Sequence, residues 1–411
     1  MLLNYLWAFF FIVGFGLAVV KFLLGDMEIL PQLVKSLFDS AKTGFEISLG
    51  LTGMMTLWLG LMRIGEKAGA IHRVVQLISP FFSRLFPDIP QNHPALGAIF
   101  MNLSATMLGL DNAATPLGLT AMKEMQTLNP TKDTASNPQI MFLVLNTAGL
   151  TLIPASIITI RMQEKAAFPA DIFIPILLTT AIGFLFSIIM VAIYQKINLL
   201  DKVLIAYLLG ITSFIALAVY YTSHLPQDAL NNLSNNLSSF IIFSVIVWFV
   251  ATGIIKKLNV YEIFIDGAKE GFSTAVTIIP YLVAMLSAIA VFRASGAMPL
   301  CITSIEKVVN YLGINADFVA GLPTAFMKPF SGSGARGMMV DTIKTYGVDS
   351  FQGKLASVLQ GSTETTFYVL AVYFGSVGVK NTRYAVSCGL WADVVGIVAA
   401  ILMTYLFFGL A

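Results

Sequence analysis

Two cations and a run of small polar residues interrupt an apolar sequence at residues 327–338. The interruption reads Met-Lys-Pro-Phe-Ser-Gly-Ser-Gly-Ala-Arg-Gly-Met, with Lys328 and Arg336 on either side of the Ser-Gly-Ser-Gly turn. Helix-breaking backbone of this kind is tolerated in hydrocarbon only where protein buries it or where it lines a water-filled cavity. Exposed N–H groups at such a turn, followed by a helix N-terminus, favour an anion. We therefore predict a binding site for a carboxylate or phosphate; the alternative is that both cations extend to the lipid headgroups.

A second polar interruption lies in the first half of the chain, at residues 102–115, and reads Asn-Leu-Ser-Ala-Thr-Met-Leu-Gly-Leu-Asp-Asn-Ala-Ala-Thr. Two interrupted hydrophobic segments at matching places in two halves are typical of a transporter's substrate site. We expect two helical hairpins with breaks near residues 110–112 and 330–334 and with neighbouring tips. Asp111 would then face Arg336 as a gate or counter-ion. Capping of the following helix by Asp111 or Asn112 is an equally good explanation.

A single carboxylate, Glu364, stands near the middle of an apolar run that starts at Gly353. A charge at that depth is costly unless it is paired, solvated or protonated, which favours a functional role over a structural ion pair. We expect Glu364 to face a polar cavity shared with Gln360 and Ser362, although interhelical hydrogen bonds are the alternative for the neutral residues. The predicted binding residues are Asn102, Ser104, Asp111, Asn112, Thr115, Asn146, Thr147, Lys328, Ser331, Ser333, Arg336, Gln360, Ser362, Thr363, Glu364 and Thr365.

The composition indicates a membrane protein. Hydrophobic residues make up 57% of the 411 residues and charged residues only 11%, whereas roughly a quarter of a soluble domain is charged. The mean hydropathy is +0.82, and a net charge of +2 is too small to indicate a nucleic-acid partner. His72, His93 and His224 lie far apart, the two cysteines suit apolar surroundings, and no Walker-type loop is present. We therefore expect no metal, no cofactor and no enzymatic activity.

Apolar runs of roughly 20 residues can cross a hydrocarbon core of about 30 Å. Nine runs approach this length and predict nine membrane spans, at residues 2–24, 44–62, 139–160, 172–194, 203–221, 240–255, 273–291, 353–375 and 386–408. Shorter apolar pieces suit interfacial helices or arms of re-entrant hairpins, at residues 71–86, 96–110, 113–125, 300–312, 316–330 and 334–346. The predicted fold class is an all-α polytopic membrane protein.

An internal repeat organises the chain. Ala-Lys-Thr-Gly-Phe at residues 41–45 reappears as Ala-Lys-Glu-Gly-Phe at residues 268–272, and the same spacing places Gly69 on Gly296. Later matches lie a few residues closer together, as expected when only the loops of one copy have shortened. We predict two pseudo-symmetric repeats, each with a broken-helix, re-entrant hairpin and amphipathic interfacial helices. They occupy residues 1–200 and 236–411, with a linker helix and external loop at 201–235.

The direction of the two repeats depends on the lysines. The segment 222–236 has no Lys or Arg, whereas Lys256 lies at the end of the next apolar run, so the positive-inside bias places 222–236 outside. The same bias puts Lys21, Lys35 and Lys42 in the cytoplasm, which makes the repeats parallel. Transporter repeats of this kind are often inverted. The sequence therefore leaves parallel and inverted repeats open.

Two pairs of long polar motifs carry a family resemblance. The first half contains Asn-Leu-Ser-Ala-Thr-Met-Leu-Gly-Leu-Asp-Asn-Ala-Ala-Thr-Pro-Leu-Gly from residue 102 and Leu-Asn-Thr-Ala-Gly-Leu-Thr-Leu-Ile-Pro from residue 145, and it resembles spore maturation protein A. The second half contains Pro-Phe-Ser-Gly-Ser-Gly-Ala-Arg-Gly from residue 329 and Gly-Ser-Thr-Glu-Thr-Thr-Phe-Tyr-Val from residue 361, and it resembles spore maturation protein B. The chain thus resembles a fusion of the two within the Gate, or nucleoside-recognition, family. The resemblance implies a transport-like architecture with paired hairpins, without implying that nucleosides are the substrate.

These features predict an integral membrane secondary transporter, or a flippase-like carrier, for a small polar solute, with an anionic solute favoured. Its site would lie between the two broken hairpins at the repeat interface. A non-transporting scaffold that supports envelope or spore-core maturation is the alternative. Coupling to H⁺ or Na⁺ is left open, with Glu364 and Asp111 as the acids to test. The expected partners are the solute and membrane lipids, without nucleic acid; a homo-oligomer is left open, and the expected location is the inner (plasma) membrane, with several passes.

Overall fold

The computed structural model describes residues 2–107 and 111–409, and within these ranges it contains helices and no β-strand. The first repeat comprises α1 (Leu2–Leu23), α2 (Ile29–Lys67), α3 (Ala70–Leu85), α4 (Pro94–Met107), α5 (Asp111–Leu128), α6 (Asn137–Ala148), α7 (Ala155–Gln163) and α8 (Phe173–Gln195). α9 (Lys202–Ser223) follows as the connecting helix. The second repeat comprises α10 (Gln227–Ile255), α11 (Val260–Ala294), α12 (Ala297–Tyr311), a short 3₁₀ helix (Val319–Gly321), α13 (Leu322–Met327), α14 (Gly332–Tyr346), α15 (Phe351–Gly361), α16 (Thr366–Ser376) and α17 (Ala385–Phe408). The predicted all-α fold is confirmed.

Two predicted spans, 139–160 and 353–375, are interrupted rather than continuous. In the first repeat, α6 ends at Gly149, whose φ of 54° is left-handed, and α7 begins after Pro154. Such a glycine ends a helix readily, and a proline shortly afterwards cannot continue it. In the second repeat, α15 is followed by a short connection, and α16 begins after Thr365 in extended backbone. The polar centres of both runs therefore lie in non-helical connections and not along one helix face.

Four helices in the described ranges are long and apolar enough to cross a membrane by themselves: α2, α8, Lys202–Thr222 of α9, and α17. Leu282–Ala294 of α11 and Ala297–Tyr311, bent by 68°, add a fifth if they form one span. The prediction of nine continuous spans is therefore too high. Two of the nine runs are broken. Within the described residues the apolar parts of α1 and α10 cover Trp7–Leu23 and Ser239–Ile255, while the whole helices have 22 and 29 residues. The chain is nevertheless a polytopic membrane protein by the number of apolar helices.

The two longest helices, α2 and α11, pack against each other in opposite directions. A Cβ on Gly44 would lie 3.0 Å from the Val283 Cα, and a Cβ on Gly271 would lie 2.7 Å from the Thr56 Cα. These two contacts are equivalent in the two repeats, because the repeat spacing of 227 residues aligns Gly44 with Gly271 and Thr56 with Val283. The glycines allow the two backbones to approach closely. α2 and α11 are equivalent helices of the two repeats, they run in opposite directions, and they make the same contact on each other. A two-fold axis perpendicular to the helices therefore relates the two repeats, so the repeats are inverted.

The lysines that favoured parallel repeats lie at opposite ends of this helix pair. Lys256, the C-cap of α10, packs over Gly69 at the end of α2. Lys21, in the last turn of α1, packs over Gly296 at the end of α11. The ends of two antiparallel helices point in opposite directions, so these two lysines are on opposite sides of the bundle. The prediction that Lys21 and Lys256 share one side is therefore wrong.

The last helices of the two repeats pack against each other. α8 packs along α17, and a Cβ on Gly183 would lie 4.0 Å from the Gly396 Cα. Buried side chains from α4, α5, α6 and α16 form one apolar core around this pair, and side chains from α7, α14 and α15 form another. α10 already begins at Gln227, so most of the predicted external loop 222–236 is helical. The two cores hold the broken helices around the centre of the bundle.

Candidate functional site

The polar interruption of the second repeat forms a helix–break–helix hairpin. Residues 328–331 separate α13 from α14, which overlaps the expected position. Ser331 is the N-cap of α14, and its Oγ accepts a hydrogen bond from the Gly334 N–H at 3.0 Å. The Ser331 N–H donates to the last residue of α13 at 3.0 Å. Two N–H groups of the turn are therefore already used, which leaves those of Gly332 and Ser333 for an anion.

The polar interruption of the first repeat lies between α4 and α5, which pack along each other. Residues 108–110 are outside the described residues, and they include part of the predicted break. α5 begins at Asp111. The side chains of Asp111 and Asn112 also lie outside the described part of the chain. The predicted contact between Asp111 and Arg336 therefore stays a prediction.

Backbone hydrogen bonds join the broken spans to each other and to the hairpins. The Glu364 N–H, between α15 and α16, donates to the Thr147 carbonyl of α6 at 2.8 Å and so links the two repeats. Two further bonds of 2.9 Å each join a broken span to the hairpin of its own repeat: Leu152 N–H to the Met107 carbonyl, and Phe367 N–H to the Pro329 carbonyl. These three bonds pair some of the backbone groups that the breaks free, as a low-dielectric interior requires.

Two adjoining cavities lie where these elements meet, with volumes of about 130 Å³ and about 510 Å³. Thr106, Gly332 and Glu364 line both cavities and form their shared wall. The larger cavity is also lined by residues of both hairpins and of α16: Ala114, Thr115, Asn146, Phe330, Ser331, Ser333, Thr365, Tyr368, Val369 and Tyr373. The described parts of the two hairpins therefore approach each other at this cavity.

Charges of both signs converge on the smaller cavity. Lys328, Arg336 and Glu364 line it, and Lys328 is buried, with 6% of its surface exposed. Both cations have further interactions within the protein. Beside them, the Gln360 Nε2 donates to the Gly332 carbonyl at 3.4 Å, while the Gln360 Oε1 has no hydrogen-bond partner among the described residues. This set can bind a solute that carries an anionic group and hydrogen-bond donors.

Most of the predicted binding side chains line one of the two cavities. These residues are Thr115, Asn146, Lys328, Ser331, Ser333, Arg336, Gln360, Thr363, Glu364 and Thr365. They come from two separate breaks and from α5, α6, α14 and α15. The tertiary structure thus brings together residues that are more than two hundred positions apart in the chain.

Four other predicted residues lie behind the cavity walls. The Asn102 Nδ2 donates to the Ala114 carbonyl at 2.7 Å, so this amide supports the first hairpin. Ser104 is fully buried, and Thr147 contributes its carbonyl to the link between repeats. The Ser362 hydroxyl donates within its own turn at 2.8 Å and does not line either cavity. The expectation that Ser362 shares a cavity with Glu364 is therefore wrong, because the helix ends before it.

Two residues near the site were missed by sequence reasoning. Asp393 of α17 is only 2% exposed, and its Oδ2 accepts a hydrogen bond from the Thr366 Oγ1 at 2.6 Å. It is the only charged residue in the apolar run 386–408, and that was a signal that could have identified it. Tyr373 lines the larger cavity, and its hydroxyl lies 3.4 Å from the Asn102 Nδ2.

An arginine joins the two repeats at each end of the broken spans, and the two arginines differ in burial. At one end, the fully buried Arg161 of α7 donates to the Val348 carbonyl at 3.0 Å and pairs with Asp171 at 2.9 Å. At the other end, the exposed Arg383 donates to the Ala135 carbonyl at 3.0 Å. A buried ion pair needs its partners because an unpaired buried charge is strongly destabilising.

Inverted repeats with paired hairpins and paired broken spans around a polar cavity define a class of polytopic, transporter-like membrane proteins. The family profile called Gate, described as nucleoside recognition, matches residues 48–164 and 275–380. The chain belongs to this Gate family. The two matched segments fall one in each repeat, so each repeat carries the family's sequence pattern.

Two proteins of Bacillus subtilis (strain 168) are similar to this chain. Spore maturation protein B is 49% identical over 185 residues, which are 45% of this chain and 100% of that protein. Spore maturation protein A is 40% identical over 188 residues, which are 46% of this chain and 93% of that protein. The resemblance inferred from the polar motifs is confirmed. A search of solved structures gave no match.

Proposed function

We propose that this chain is a secondary transporter, or a flippase-like carrier, for a small polar solute with an anionic group. The proposal depends on the convergence of Lys328, Arg336 and Glu364 on cavities between the hairpins and the broken spans. Charged groups are costly in hydrocarbon, and their placement around a cavity is typical of a solute pathway. Inverted repeats can expose a central site to each side in turn when one repeat rocks against the other.

The anionic group of the solute binds to Arg336, to Lys328 and to the N–H groups of Gly332 and Ser333. A guanidinium can hold a carboxylate or phosphate with two parallel hydrogen bonds, whereas an ammonium acts as a point charge. The start of α14 adds the partial positive charge of a helix N-terminus. Glu364, in the shared wall, accepts hydrogen bonds from hydroxyl or amino groups elsewhere on the solute.

The larger cavity suits a solute with a flat ring. Its volume of about 510 Å³ lies within the range of about 300–1,000 Å³ that is usual for small-molecule sites. Phe330 stacks on Phe367 with ring centroids 5.2 Å apart, and Phe330, Tyr368 and Tyr373 line the cavity. Aromatic faces can hold a planar group by stacking. Because the family is described as nucleoside recognition, nucleosides and their phosphates are the first solutes to test.

The remaining parts of the proposal follow from the sequence. The protein works without a cofactor and without enzymatic activity, in the inner (plasma) membrane. Its partners are the solute and the surrounding lipids, without nucleic acid. Transport is driven by coupling to H⁺ or Na⁺, since the sequence contains no Walker-type loop for ATP. A homo-oligomer is compatible with this mechanism but is not required by it.

A thermal-shift screen of the purified chain tests the proposal. A ligand that binds only the folded state raises the apparent stability, by about 2.7 kcal/mol at a hundred times its Kd. We expect nucleoside monophosphates, dicarboxylates or phosphorylated envelope precursors to raise the melting temperature, and neutral nucleosides to raise it less. The shift should be lost in Arg336→Ala. If no anionic solute shifts the wild type, the scaffold alternative is favoured, and function in cells should then survive substitution of Arg336 and Glu364.

A further inference from the structure

α17 carries a buried carboxylate beside the broken span of the second repeat. Asp393 is 2% exposed, and its Oδ2 accepts a hydrogen bond from the Thr366 Oγ1 at 2.6 Å. Its Oδ1 has no hydrogen-bond partner in the part of the chain that the structure describes. A carboxylate inside a membrane-spanning helix indicates a functional role unless it is fully paired.

Two glycines of α17 bring the broken span against this carboxylate. A Cβ on Gly389 would lie 2.8 Å from the Thr366 Cγ2, and a Cβ on Gly396 would lie 2.6 Å from the Thr363 Cγ2. One glycine lies about one turn before Asp393 and the other about one turn after it. The carboxylate is therefore at the centre of the contact between α17 and the break. Any movement of the break during transport changes its surroundings.

The first repeat supports its own broken span without a charge. Gly183 faces Gly396 across the pseudo-two-fold axis, and the same shift of 213 residues places Thr180 where Asp393 stands. The Thr180 hydroxyl accepts a hydrogen bond from the Thr151 N–H of the first broken span at 3.4 Å. A neutral hydroxyl is thus sufficient to support a break. Support of a break by itself therefore does not require the carboxylate found in the second repeat.

Thr363 and Lys328 connect Asp393 to the smaller cavity. Both side chains line that cavity, and the Thr363 side chain lies against Gly396 of α17, about one turn after Asp393. α6, α8 and α16 present no acidic or basic side chain to this carboxylate within the described ranges. Glu364 lies in the wall between the cavities, and Lys354 of α15 stacks over the Phe408 ring at the far end of α17, 4.3 Å from its centroid. On α17 itself, the other titratable side chains are the buried Cys388 and the half-buried Tyr405.

We infer that Asp393 is a proton-binding site that couples proton uptake to anion binding at Lys328; this inference rests on the proposed anion site. With the cavity empty, the Lys328 ammonium stabilises the ionised carboxylate. A bound anion adds a second negative charge beside that ammonium and so disfavours the ionised carboxylate, and Asp393 then takes up a proton from the solvent. The proton is released when the anion leaves, so one proton accompanies each anion. By linkage, protonation of Asp393 strengthens anion binding, and affinity rises as pH falls.

Sulfate is a suitable probe because its charge stays constant over the pH range of the experiment. Sulfate binding to the full chain is measured by thermal shift from about pH 5.5 to about pH 8.5, and we expect about tenfold tighter binding at the acidic end. Asp393→Asn keeps the shape and the acceptor for Thr366, and its sulfate affinity should vary less than about twofold over the same range. Thr366→Val keeps Asp393 and should keep the pH dependence. A purely structural role for Asp393 predicts instead that Asp393→Asn and Thr366→Val behave alike.

Infrared spectroscopy observes the proton directly and does not depend on a variant that folds. In the wild type, addition of sulfate at constant pH should increase the carbonyl stretch of a protonated carboxyl group. The increase should be absent in Asp393→Asn and in Lys328→Gln. If sulfate binds but the band does not change, or if Asp393→Asn retains the pH dependence, the coupling is wrong and the anion site stands. If the wild type binds neither sulfate nor any phosphorylated solute at any pH, the anion site is wrong and this inference is wrong with it.

Discussion

At the scale of single residues, Arg336 and Lys328 differ in what they contribute to an anion site. Lys328 is buried and lines the smaller cavity, and Arg336 lines the same cavity from the first turns of α14. A planar guanidinium fixes the orientation of a carboxylate or phosphate, and an ammonium does not. Arg336 is therefore the residue whose replacement tests recognition most directly.

We expect Arg336→Ala to weaken anion binding by about 1.5–3 kcal/mol, which is roughly ten- to a hundredfold in Kd, because a charge-assisted contact is lost. Arg336→Lys keeps the charge but loses the two parallel hydrogen bonds, so it should weaken binding less than Arg336→Ala. The control is Arg84→Lys, at an exposed arginine that lies 3.9 Å from Asp201, and it should leave binding unchanged. Titration of the solute found in the thermal-shift screen provides the measurement. Wild-type affinity in Arg336→Ala would contradict the anion site.

Glu364 is the second residue-scale test, because it stands in the wall shared by both cavities. Glu364→Gln preserves the shape and one acceptor but removes the charge. We expect uptake into proteoliposomes to fall at least about tenfold, while yield and melting temperature stay near those of the wild type. A large loss of stability with no specific loss of uptake would show that Glu364 is part of a structural ion pair.

At the scale of elements, the site depends on the breaks within otherwise apolar helices. Each break exposes backbone N–H and carbonyl groups at the depth of the cavity, where a continuous helix would have used them internally. Gly149 makes the first break possible, since its φ of 54° is left-handed and a Cβ there would lie 2.9 Å from the Glu364 Cγ. A side chain at this position would therefore strain one repeat and displace the carboxylate of the other.

We expect Gly149→Ala to lower the free energy of unfolding by about 1–2 kcal/mol or more, because alanine resists the left-handed conformation and its Cβ crowds Glu364. Gly210→Ala is the matched control. Gly210 lies within α9 with nothing within 4 Å of the added Cβ, and alanine in a helix interior is favoured over glycine by roughly 0.5–1 kcal/mol. Thermal unfolding in detergent compares the two. Equal melting temperatures would mean that the first break does not require glycine.

At the scale of the whole molecule, the inverted arrangement of the repeats places equivalent loops on opposite sides of the membrane. The turn after α1 contains the exposed Asp26, and the turn after α10 contains the exposed Lys256. The contact of Lys21 with Gly296 and that of Lys256 with Gly69 show that these two turns occupy opposite ends of the α2–α11 pair.

Thiol labelling tests this topology in a background without the native cysteines, Cys301→Ser and Cys388→Ser. We expect a membrane-impermeant thiol reagent added to intact cells to label only one of the two single-cysteine variants, Asp26→Cys and Lys256→Cys. Permeabilised cells serve as the control, in which both variants should react. Labelling of both variants from the same side would contradict the inverted arrangement, because parallel repeats place these turns together.

The sequence by itself indicated a membrane protein with an internal repeat, and it identified the polar residues that are candidates for the site. The apolar runs predicted helix positions within a few residues, for example 203–221 for α9 (Lys202–Ser223), because apolar length and polar boundaries are local properties. Glu364 and the Ser-Gly-Ser-Gly turn were identified because charge and helix-breaking residues are rare in apolar runs. Asp393 was missed although the same reasoning applied to it.

Only the tertiary structure decided the direction of the repeats, the interruption of the two polar-centred spans, and the residues that face the cavity. The lysine pattern favoured parallel repeats, because charge counts carry no information about which helices pack together; the paired contacts of Gly44 with Val283 and of Gly271 with Thr56 show the inversion. Ser362 and Glu364 lie two residues apart, yet Glu364 lines the cavity whereas the Ser362 hydroxyl donates a hydrogen bond within its own turn. Which side chain faces a cavity depends on where the backbone leaves the helix and on the contacts that hold it there, and these contacts come from segments more than two hundred residues away.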